Sequence, residues 1–518
     1  MKYLFDRNPS IAACLAVFLL MTVRVIYFYY SPDEILIGVI PDDAFYYMQL
    51  AKHRETEGFW TFDGTSPATG FHFLYGYLLF FIYSIFGQID WRQLFLIIGG
   101  SATVLISLAA YFVSLTAESL YGRKSILFAI TPFFSTIALT QCTDMMESWL
   151  LIFFSALTIY YLSKEQTPST SDELFLIVLG FLGSLSRTDY GMLPGVIFFM
   201  YLVSAPIVKN NGIKRSSLVL AGAIMGIAVV LLQNLFISGQ PLQASAQTKF
   251  YWSSIAGHSI SPSIHMVRSI AFPIFDHSNK YFTFLISFIL LFTAFSYHYS
   301  LNKSEQKEYR KQFSPSPILI SGCAVTIFAY IYFYRFASQG LQPWYSANFI
   351  APIGIIFAAI GYYLFGSKMF VPALFCFLLY VFLCISNIFY VPWPHQAGMR
   401  QAGLYLKDHK MQAIFGSWNA GIISYFSGVR LINIDGLTND EVLPFIKRNS
   451  LFDYIKKRNI SYLIDYEAMI KNSDHRILGG YTDERFDRCI RSRQSVDGDS
   501  QKWEGSRLKI FEVISGCN

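Results

Sequence analysis

Two adjacent carboxylates, Asp42 and Asp43, come shortly after the first long apolar run of the chain, residues 11–30. Acidic residues are rare at a membrane boundary unless they pair or take part in function. A carboxylate in this position can act as a general base that removes the proton from an attacking hydroxyl. Because Asp is also a favoured helix N-cap, an alternative role for Asp42 is to cap a helix that begins at Ala44. Capping by one carboxylate leaves the other free for catalysis.

Three further acidic residues and one arginine lie at the ends of apolar stretches. Asp144 and Glu147 are three residues apart, which places them on one face of a helix start. They could hold a divalent cation or polarise an acceptor, and the alternative is a favourable charge at a helix N-terminus. Arg187 could bind a phosphate while Asp189 holds its side chain in place, or the two could form only a mutual salt bridge.

A lysine, a tyrosine and a histidine complete the set of candidate binding residues. Lys249 follows a polar run, residues 240–248, and could meet a phosphate or diphosphate. The aromatic residues 250–252 beside it could cover a lipid chain or stack on a sugar, and an aromatic belt at the membrane interface explains them equally well. The same alternatives apply to Tyr345. His72 lies in a Gly-rich segment of the first loop and could bind a substrate.

The spacing of cysteines and histidines does not match a zinc site. A divalent cation at the acidic residues stays open, and the pattern requires no other cofactor. Cys489 and Cys517 lie in the polar C-terminal region and could form a disulfide in an oxidising compartment. Sequence alone does not fix the geometry that such a bond needs.

The composition is that of a polytopic membrane protein. Of the 518 residues, 53% are hydrophobic and only 14% are charged, against about 25% charged in a typical soluble chain. The mean hydropathy is +0.40. The net charge of +6 comes from Lys and Arg in short loops, which is how charge orients a protein in a bilayer and not a sign of a nucleic-acid partner.

Apolar segments of about 20 residues predict the membrane spans. About eleven are expected, at 11–30, 94–117, 126–141, 148–163, 173–186, 191–208, 216–238, 281–298, 317–336, 347–366 and 369–390. The segment 71–87 is a twelfth candidate, which we interpret as an interfacial or re-entrant helix. With the N-terminus in the cytoplasm, every inner loop then carries a Lys or Arg, as the positive-inside rule requires. This orientation places the acidic candidate residues on the outer face, in the first external loop 31–93 and its neighbours.

The predicted architecture is therefore an all-α polytopic membrane domain, residues 1–390, followed by a small soluble α/β domain, residues 391–518. In the second part, short β-rich runs predict strands at 412–416, 429–434 and 461–465. Helices are expected near 396–409 and 441–458. The orientation of the spans puts this domain outside the cytoplasm.

The first-loop motif resembles that of bacterial GT-C-type membrane glycosyltransferases, in particular their arabinofuranosyltransferase-like and uncharacterised branches. The residues that carry the resemblance are Asp42-Asp43-Ala44-Phe45-Tyr46-Tyr47, Thr61-Phe62-Asp63-Gly64, Gly70-Phe71-His72, Met146-Glu147, Arg187-Thr188-Asp189, Pro241 through Lys249, Trp344-Tyr345, and, in the C-terminal region, Gly416 through Gly421 and Asn433 through Asn439. Two departures are visible: many relatives have Asn within the segment Pro67-Ala68-Thr69-Gly70, and Tyr75 stands where a Trp is common.

The resemblance implies transfer of a sugar from a polyprenyl-phosphate donor to a hydroxyl of a glycan, lipid or protein acceptor. The reaction is usually inverting and takes place on the outer face of the bacterial inner membrane. It implies a first-loop base, with Asp42 expected first and Asp43 next. It also implies that Arg187 and Lys249 offset the negative charge of the departing lipid phosphate.

Two alternative functions remain open from the sequence. A transporter or flippase of lipid-linked glycans would carry charges in the middle of its spans and often shows internal repeats, whereas the charges here lie at span ends. An O-antigen-type polymerase would keep the outer-face site but use lipid-diphosphate oligosaccharides. No Gly-rich nucleotide-binding fingerprint is present, which argues against a soluble nucleotide-sugar donor.

Overall fold

The structure is a computed structural model that describes residues 8–87, 89–164, 166–205, 211–271, 316–365, 380, 382, 387–471, 473–498, 500 and 502–517. Within these residues a large helical part is followed by a small domain built on a five-stranded sheet. The predicted span 281–298 and most of 369–390 lie outside the described residues.

Five helical segments of the described chain are long and apolar enough to cross a membrane: Pro9–Tyr30, Trp91–Tyr121, Gly212–Ser238, Pro317–Gly340 and Pro343–Tyr362. The helices of the first part are Pro9–Tyr30, Asp33–Ile37, Asp42–Glu57, Phe73–Phe86, Trp91–Tyr121, Ile126–Ala129, Thr136–Thr140, Ser148–Leu162, Thr170–Ser186, Met192–Ser204, Gly212–Ser238, Ala244–Ala256, Ser261–Ala271, Ser316–Tyr334 and Ala347–Phe365. The chain is a multi-pass membrane protein, and the number of about eleven spans stays a prediction.

The prediction of one span over 126–141 is wrong. This segment is divided into the helix Ile126–Ala129, the 3-10 turn Thr131–Phe134 and the helix Thr136–Thr140. Pro132 has no N–H to donate and its ring clashes with the preceding turn, which favours a kink or a break in a helix, and the helix Ile126–Ala129 ends before it. The Ser135 hydroxyl then accepts a hydrogen bond from Ala138 N at 3.2 Å and begins the second helix.

Small residues allow the helices Thr170–Ser186 and Gly212–Ser238 to pack backbone against backbone. A Cβ at Gly180 would lie 1.9 Å from the carbonyl oxygen of Val219, and one at Gly222 would lie 1.9 Å from that of Ile177. Close approach through small residues is a common way for helices to associate in a membrane, where apolar burial alone gives little preference. These contacts fix the position of the turn that follows Ser186.

The first loop contains three helices, Asp33–Ile37, Asp42–Glu57 and Phe73–Phe86. The last of these has 14 residues, fewer than the roughly 20 that a span requires. Between the second and third helices, a bridge joins Thr61 to Pro67. This turn is held by Asp63, whose carboxylate accepts from the backbone N–H groups of Thr65 and Ser66.

The C-terminal domain has the strand order β2-β1-β3-β5-β4. The strands are β1 Phe415–Ser417, β2 Leu431–Asn433, β3 Tyr462–Tyr466, β4 Ile490–Ser495 and β5 Leu508–Val513. β1 pairs in parallel with both β2 and β3, whereas β5 pairs antiparallel with β3 and β4. The helices are Gln396–Asp408, Gly421–Ser427, Leu443–Lys447, Leu451–Lys457, Glu467–Lys471, Ser473–Gly479 and Arg485–Arg488.

The three predicted strands are confirmed, and β4 and β5 are additional. The helix predicted near 441–458 is interrupted between Lys447 and Leu451, where Asn449 has a positive φ of 55°. Cys489 precedes β4 and Cys517 follows β5, and the two form a disulfide that ties the ends of this hairpin together.

The C-terminal domain contacts the first loop through an ion pair and several hydrogen bonds. Arg458 donates to Asp63 Oδ2 at 2.7 Å and to Thr65 Oγ1 at 2.9 Å. On the other side of the loop, Asp440 accepts from the backbone N–H and the hydroxyl of Thr69. The domain therefore covers the loop that carries the two adjacent carboxylates.

Candidate active site

Asp42 and Asp43 occupy the first turn of the helix Asp42–Glu57, and their side chains point to different partners. Asp42 does not cap this helix, whose N-cap is Pro41. Its carboxylate instead accepts from the backbone N–H groups of Gly421 at 3.1 Å and Ile422 at 2.6 Å. Those groups begin the helix Gly421–Ser427 of the C-terminal domain, so Asp42 caps a helix of the other domain.

The cap leaves little space around Asp42. A Cβ at Gly421 would lie 2.3 Å from the Asp42 carbonyl oxygen. Burial raises the pKa of Asp42 to about 7, against the opposing effect of the two N–H donors. A carboxylate with both oxygens occupied in this way is poorly placed to accept a proton from a substrate.

Asp43 is different, because within the described residues its carboxylate has no hydrogen-bond partner. The side chain is half-buried. Burial raises the pKa of its carboxyl; Lys249 lowers it and Glu147 raises it further. Asp43 is thus a carboxylate with free lone pairs, next to one cation and one anion.

Lys249 reaches the site from the helix Ala244–Ala256. Its ammonium donates to the Tyr345 hydroxyl at 2.9 Å, and its side chain is only 6% exposed. Gly340 makes room for it, since a Cβ there would lie 2.7 Å from Lys249 Cγ. Burial lowers the pKa of Lys249, but Tyr345 and Asp43 together hold it above its ordinary value. The ammonium is therefore charged, with donors left for a ligand.

Arg187 lies at the centre of a buried charge network. Its Nη1 donates to Glu147 Oε1, and its Nε and Nη2 donate to Asp189 at 3.1 and 2.9 Å. Its guanidinium carbon also lies 4.5 Å from the centre of the Tyr345 ring. The salt bridge expected as an alternative role for Arg187 and Asp189 is therefore formed, and most of the N–H groups of Arg187 are occupied.

Both acids in this network are held ionised. Burial opposes ionisation of Glu147, but His72 and Arg187 outweigh it and keep its pKa below the ordinary value. Asp189 is also buried, and Arg187 lowers its pKa in the same way. The hydroxyl of Tyr334 donates to Asp189 Oδ2 at 2.6 Å. With one arginine between two carboxylates, this cluster carries a net negative charge.

His72 borders the network. Its Nε2 lies 3.4 Å from Glu147 Oε1. Burial lowers the pKa of His72 to about 4, although Glu147 favours the protonated form. The Tyr47 hydroxyl connects the two, because it donates to Glu147 Oε2 at 3.1 Å and accepts from the His72 backbone N–H at 3.3 Å.

Asp144 has no hydrogen bond to this network, although Glu147 helps to raise the pKa of its carboxyl. Its Oδ1 accepts from Met146 N at 3.0 Å, and its Oδ2 is buried without a partner among the described residues. The nearest cation is Arg24 of the first long helix, which donates to Thr143 Oγ1 at 3.1 Å. Burial raises the pKa of Asp144 to about 8. Its role in substrate binding stays a prediction, and its observed contacts are those of the turn that precedes Glu147.

The geometry joins seven of the nine candidate residues: Asp43, His72, Glu147, Arg187, Asp189, Lys249 and Tyr345. Sequence reasoning missed three partners, Tyr47, Tyr334 and Asn348, the last of which donates to Asp189 Oδ2 at 3.3 Å. Tyr47 had a usable signal, since it follows Asp43 by four residues and so shares its helix face. Tyr334 and Asn348 lie within apolar spans and had none.

The described residues contain no group of three or more His, Cys, Asp or Glu side chains arranged to hold a metal ion. The expectation of a divalent cation at Asp144 and Glu147 therefore has no ligand set here, because Glu147 is engaged by Arg187 and Asp144 by its own turn.

Comparison with solved structures identifies the architecture. ArnT from Cupriavidus metallidurans bound to undecaprenyl phosphate superposes with a TM-score of 0.54 at 11% identity, covering 96% of this chain and 98% of that one. The oligosaccharyltransferase AglB from Archaeoglobus fulgidus, in complex with an inhibitory peptide and a dolichol-phosphate, gives a TM-score of 0.56 at 12% identity, covering 94% and 73%. The chain has the GT-C-type fold. The GT-C resemblance of the sequence motifs is thus confirmed at the level of the fold.

A family model described as a domain of unknown function (DUF8728) matches residues 387–506, which is most of the C-terminal domain. No curated protein matches the sequence. The candidate residues lie on the helical part and the first loop, and the C-terminal domain contacts that loop through Asp42 and Asp63.

Proposed function

We propose that this protein is a membrane glycosyltransferase that moves a sugar from a polyprenyl-phosphate donor to a hydroxyl of a glycan, lipid or protein acceptor. The observation that carries the proposal is that Asp43, whose carboxylate has no hydrogen-bond partner among the described residues, lies within electrostatic reach of the buried ammonium of Lys249, which lowers the pKa of Asp43. A base and a cation in one site are what hydroxyl attack and phosphate departure require. The ArnT and AglB structures with the same fold hold undecaprenyl phosphate and dolichol-phosphate.

Asp43 is the proposed base, in preference to Asp42. The acceptor hydroxyl attacks the anomeric carbon and gives its proton to Asp43, while the bond from that carbon to the phosphate oxygen breaks and the lipid phosphate leaves with the electron pair. Attack from the side opposite the phosphate inverts the configuration. A raised pKa suits this role, because a base is most effective when its pKa approaches the working pH.

Lys249 is the proposed partner of the departing phosphate, ahead of Arg187. Arg187 is shared between two carboxylates, so little of its charge is available to a further anion. Lys249 has one hydrogen-bond partner among the described residues, Tyr345. Arg187 then acts mainly by holding Glu147, Asp189 and the Tyr345 ring in place.

The proposal also covers the location and the orientation of the protein. We place the protein in the bacterial inner membrane with the N-terminus in the cytoplasm and the C-terminal domain on the outer side. The sugar, whether a hexose or a pentose, is left to experiment. The disulfide between Cys489 and Cys517 fits an oxidising compartment.

The test compares Asp43→Asn with Asp42→Asn in membranes that contain the expressed protein. Radiolabelled polyprenyl-phosphate sugars are supplied one at a time, and label in endogenous glycan is counted. We expect Asp43→Asn to reduce transfer by about a hundredfold or more, the usual contribution of a general base, and Asp42→Asn to retain most of it. Equal loss in both variants would remove the distinction between the two carboxylates. No transfer from any donor by folded wild type would favour an O-antigen-type polymerase or a transporter.

A further inference from the structure

The sheet of the C-terminal domain has a topological switch point beside the candidate active site. From β1 the chain continues to β2 on one side, and it later returns to form β3 on the other side, with all three strands parallel. In open sheets of this kind, ligands bind outside the carboxyl ends of the strands where the connections diverge. The residues that follow β1 at this point are Trp418 and Asn419.

This loop is held in one conformation by β3. The carboxylate of Asp465 accepts from Trp418 N at 2.9 Å and from Asn419 Nδ2 at 3.3 Å. It also accepts from the Tyr481 hydroxyl at 2.6 Å. The side chains of Trp418 and Asn419 remain partly exposed, so the loop is fixed without being closed off.

Trp418 is stacked against Trp252 of the helical part. The ring centres are 5.2 Å apart and the planes differ by 28°. Trp252 follows Lys249 by three residues on the helix Ala244–Ala256. The Trp418 carbonyl accepts from the hydroxyl of Tyr46, three residues after Asp43. The stacked pair therefore lies next to the elements that carry both the proposed base and the proposed phosphate-binding cation.

Hydrogen-bonding atoms at this junction lack partners. The indole Nε1 atoms of Trp252 and Trp418 are both buried without a hydrogen bond among the described residues. The same is true of Ser417 Oγ, at the end of β1, and of Thr438 Oγ1, on the loop after β2. Buried polar groups in proteins are nearly always paired, so an unpaired group needs an explanation. A ligand rich in hydroxyl groups would supply the missing acceptors.

We propose that Trp252, Trp418 and Asn419 form a subsite for a sugar ring, which we assign to the acceptor glycan. The assignment to the acceptor rests on the proposed function, whereas sugar binding itself does not. Aromatic rings contact the C–H faces of a sugar, indole N–H groups donate to its hydroxyls, and the Asn419 amide offers both a donor and an acceptor. The C-terminal domain thereby becomes part of the substrate-binding surface, not a separate appendage.

The first test measures binding without catalysis. Full-length protein labelled with fluorotryptophan is examined by fluorine NMR, and Trp252→Phe and Trp418→Phe identify two of the resonances of the eight tryptophans. Glucose, galactose, mannose, arabinose and N-acetylglucosamine are added separately at millimolar concentrations. Selective shifts of these two resonances would support the subsite even if no transferase activity were found. Shifts of all eight, or of neither, would overturn it.

The second test identifies the source of the sugar. Each Trp→Phe change keeps an aromatic ring but removes the indole N–H and part of the ring area. Trp503→Phe, in the same domain against Tyr466, makes the same change and is the matched control. Membrane glycan extract and the active polyprenyl-phosphate sugar are titrated in turn. Loss of a hydrogen bond should raise KM for the extract by roughly three- to tenfold with little change in kcat. A rise in KM for the donor alone would keep the subsite and assign it to the donor sugar, and unchanged values for both substrates would overturn it.

Discussion

The two charged regions of the site differ in how completely their groups are partnered. Around Arg187, two carboxylates are bound by one guanidinium and supported by Tyr47, Tyr334 and Asn348. At the other region, Asp43 and Lys249 interact with each other but keep unoccupied lone pairs and donors. Fully paired buried charges act as a scaffold, because any change in them is costly. The groups that are left incompletely paired are those available to a substrate.

The largest expected effect is on folding, from Arg187→Met. The change leaves Glu147 and Asp189 buried without their cation, and breaking such a pair costs about 3–5 kcal/mol. We expect little folded protein by size-exclusion chromatography and a sharply lowered melting temperature. Arg123→Met is the control, because Arg123 pairs with Glu118 at the surface with 63% of its side chain exposed. Equal stability of the two variants would show that the Arg187 region is not a scaffold.

The next effect is on activity alone, from Lys249→Met. The methionine keeps most of the buried length of the side chain and removes the ammonium that we assign to the phosphate. We expect transfer to fall by about a hundredfold, as for the loss of one preorganised stabilising group, with a melting temperature close to that of wild type. Lys214→Met, at an exposed lysine paired with Glu173, should leave the rate unchanged. A large loss of stability in Lys249→Met would place this lysine in the scaffold instead.

A smaller effect is expected on the pH dependence of activity, through the interaction of Asp43 with Lys249. Burial raises the pKa of Asp43, and Lys249 opposes the rise. A base must be ionised to act, so activity should fall as pH decreases through this pKa, and removing Lys249 should move the fall to higher pH. The residual kcat/KM of Lys249→Met, measured across the acid range, checks the direction. An unchanged pH profile would mean that the two side chains do not interact.

The last effect is on stability alone and concerns Asp42. Its pKa is raised from 3.8 to about 7 in the folded protein, so the folded state binds the proton more tightly than the unfolded state. The stability from this group is present at acidic pH and is lost as pH rises between these two values. Asp42→Asn cannot ionise, so wild type should lose stability relative to the variant over this interval. Thermal unfolding at several pH values measures the difference, and parallel pH profiles would contradict it.

The residue types of the site were accessible from sequence, whereas the division of roles between neighbours was not. Asp43, Lys249 and Arg187 stand out as charges beside apolar runs. That Asp42 is a cap depends on Gly421, 379 positions away, and no local pattern encodes such a contact. Asp42 was expected to cap a helix that begins at Ala44. It does cap a helix, but that helix is Gly421–Ser427 of the C-terminal domain.

The fold was also predictable only in part, where the sequence carries a local apolar pattern. The long apolar helices and the parallel strands were predictable from their apolar runs. The helix break at Pro132 was not predicted, because the apolar residues around this proline suggested a continuous span. β4 was missed because its sequence, Ile490–Ser495, is polar and its residues are mostly exposed. β5 has buried Leu508, Ile510 and Phe511, and its signal could have been recognised.

The contact between Asp42 and the helix Gly421–Ser427 can form only late in the synthesis of the chain. Ribosomes add about 5–20 residues per second, so the 379 residues between Asp42 and Gly421 take roughly 20–80 s to synthesise. Throughout that interval the first-loop helix that carries Asp43 lacks the domain that contacts its first turn. The nascent chain therefore lacks the contacts between Asp42 and the helix Gly421–Ser427 until that part of the C-terminal domain has been synthesised. A chain released before this point would carry the proposed base, Asp43, without those contacts.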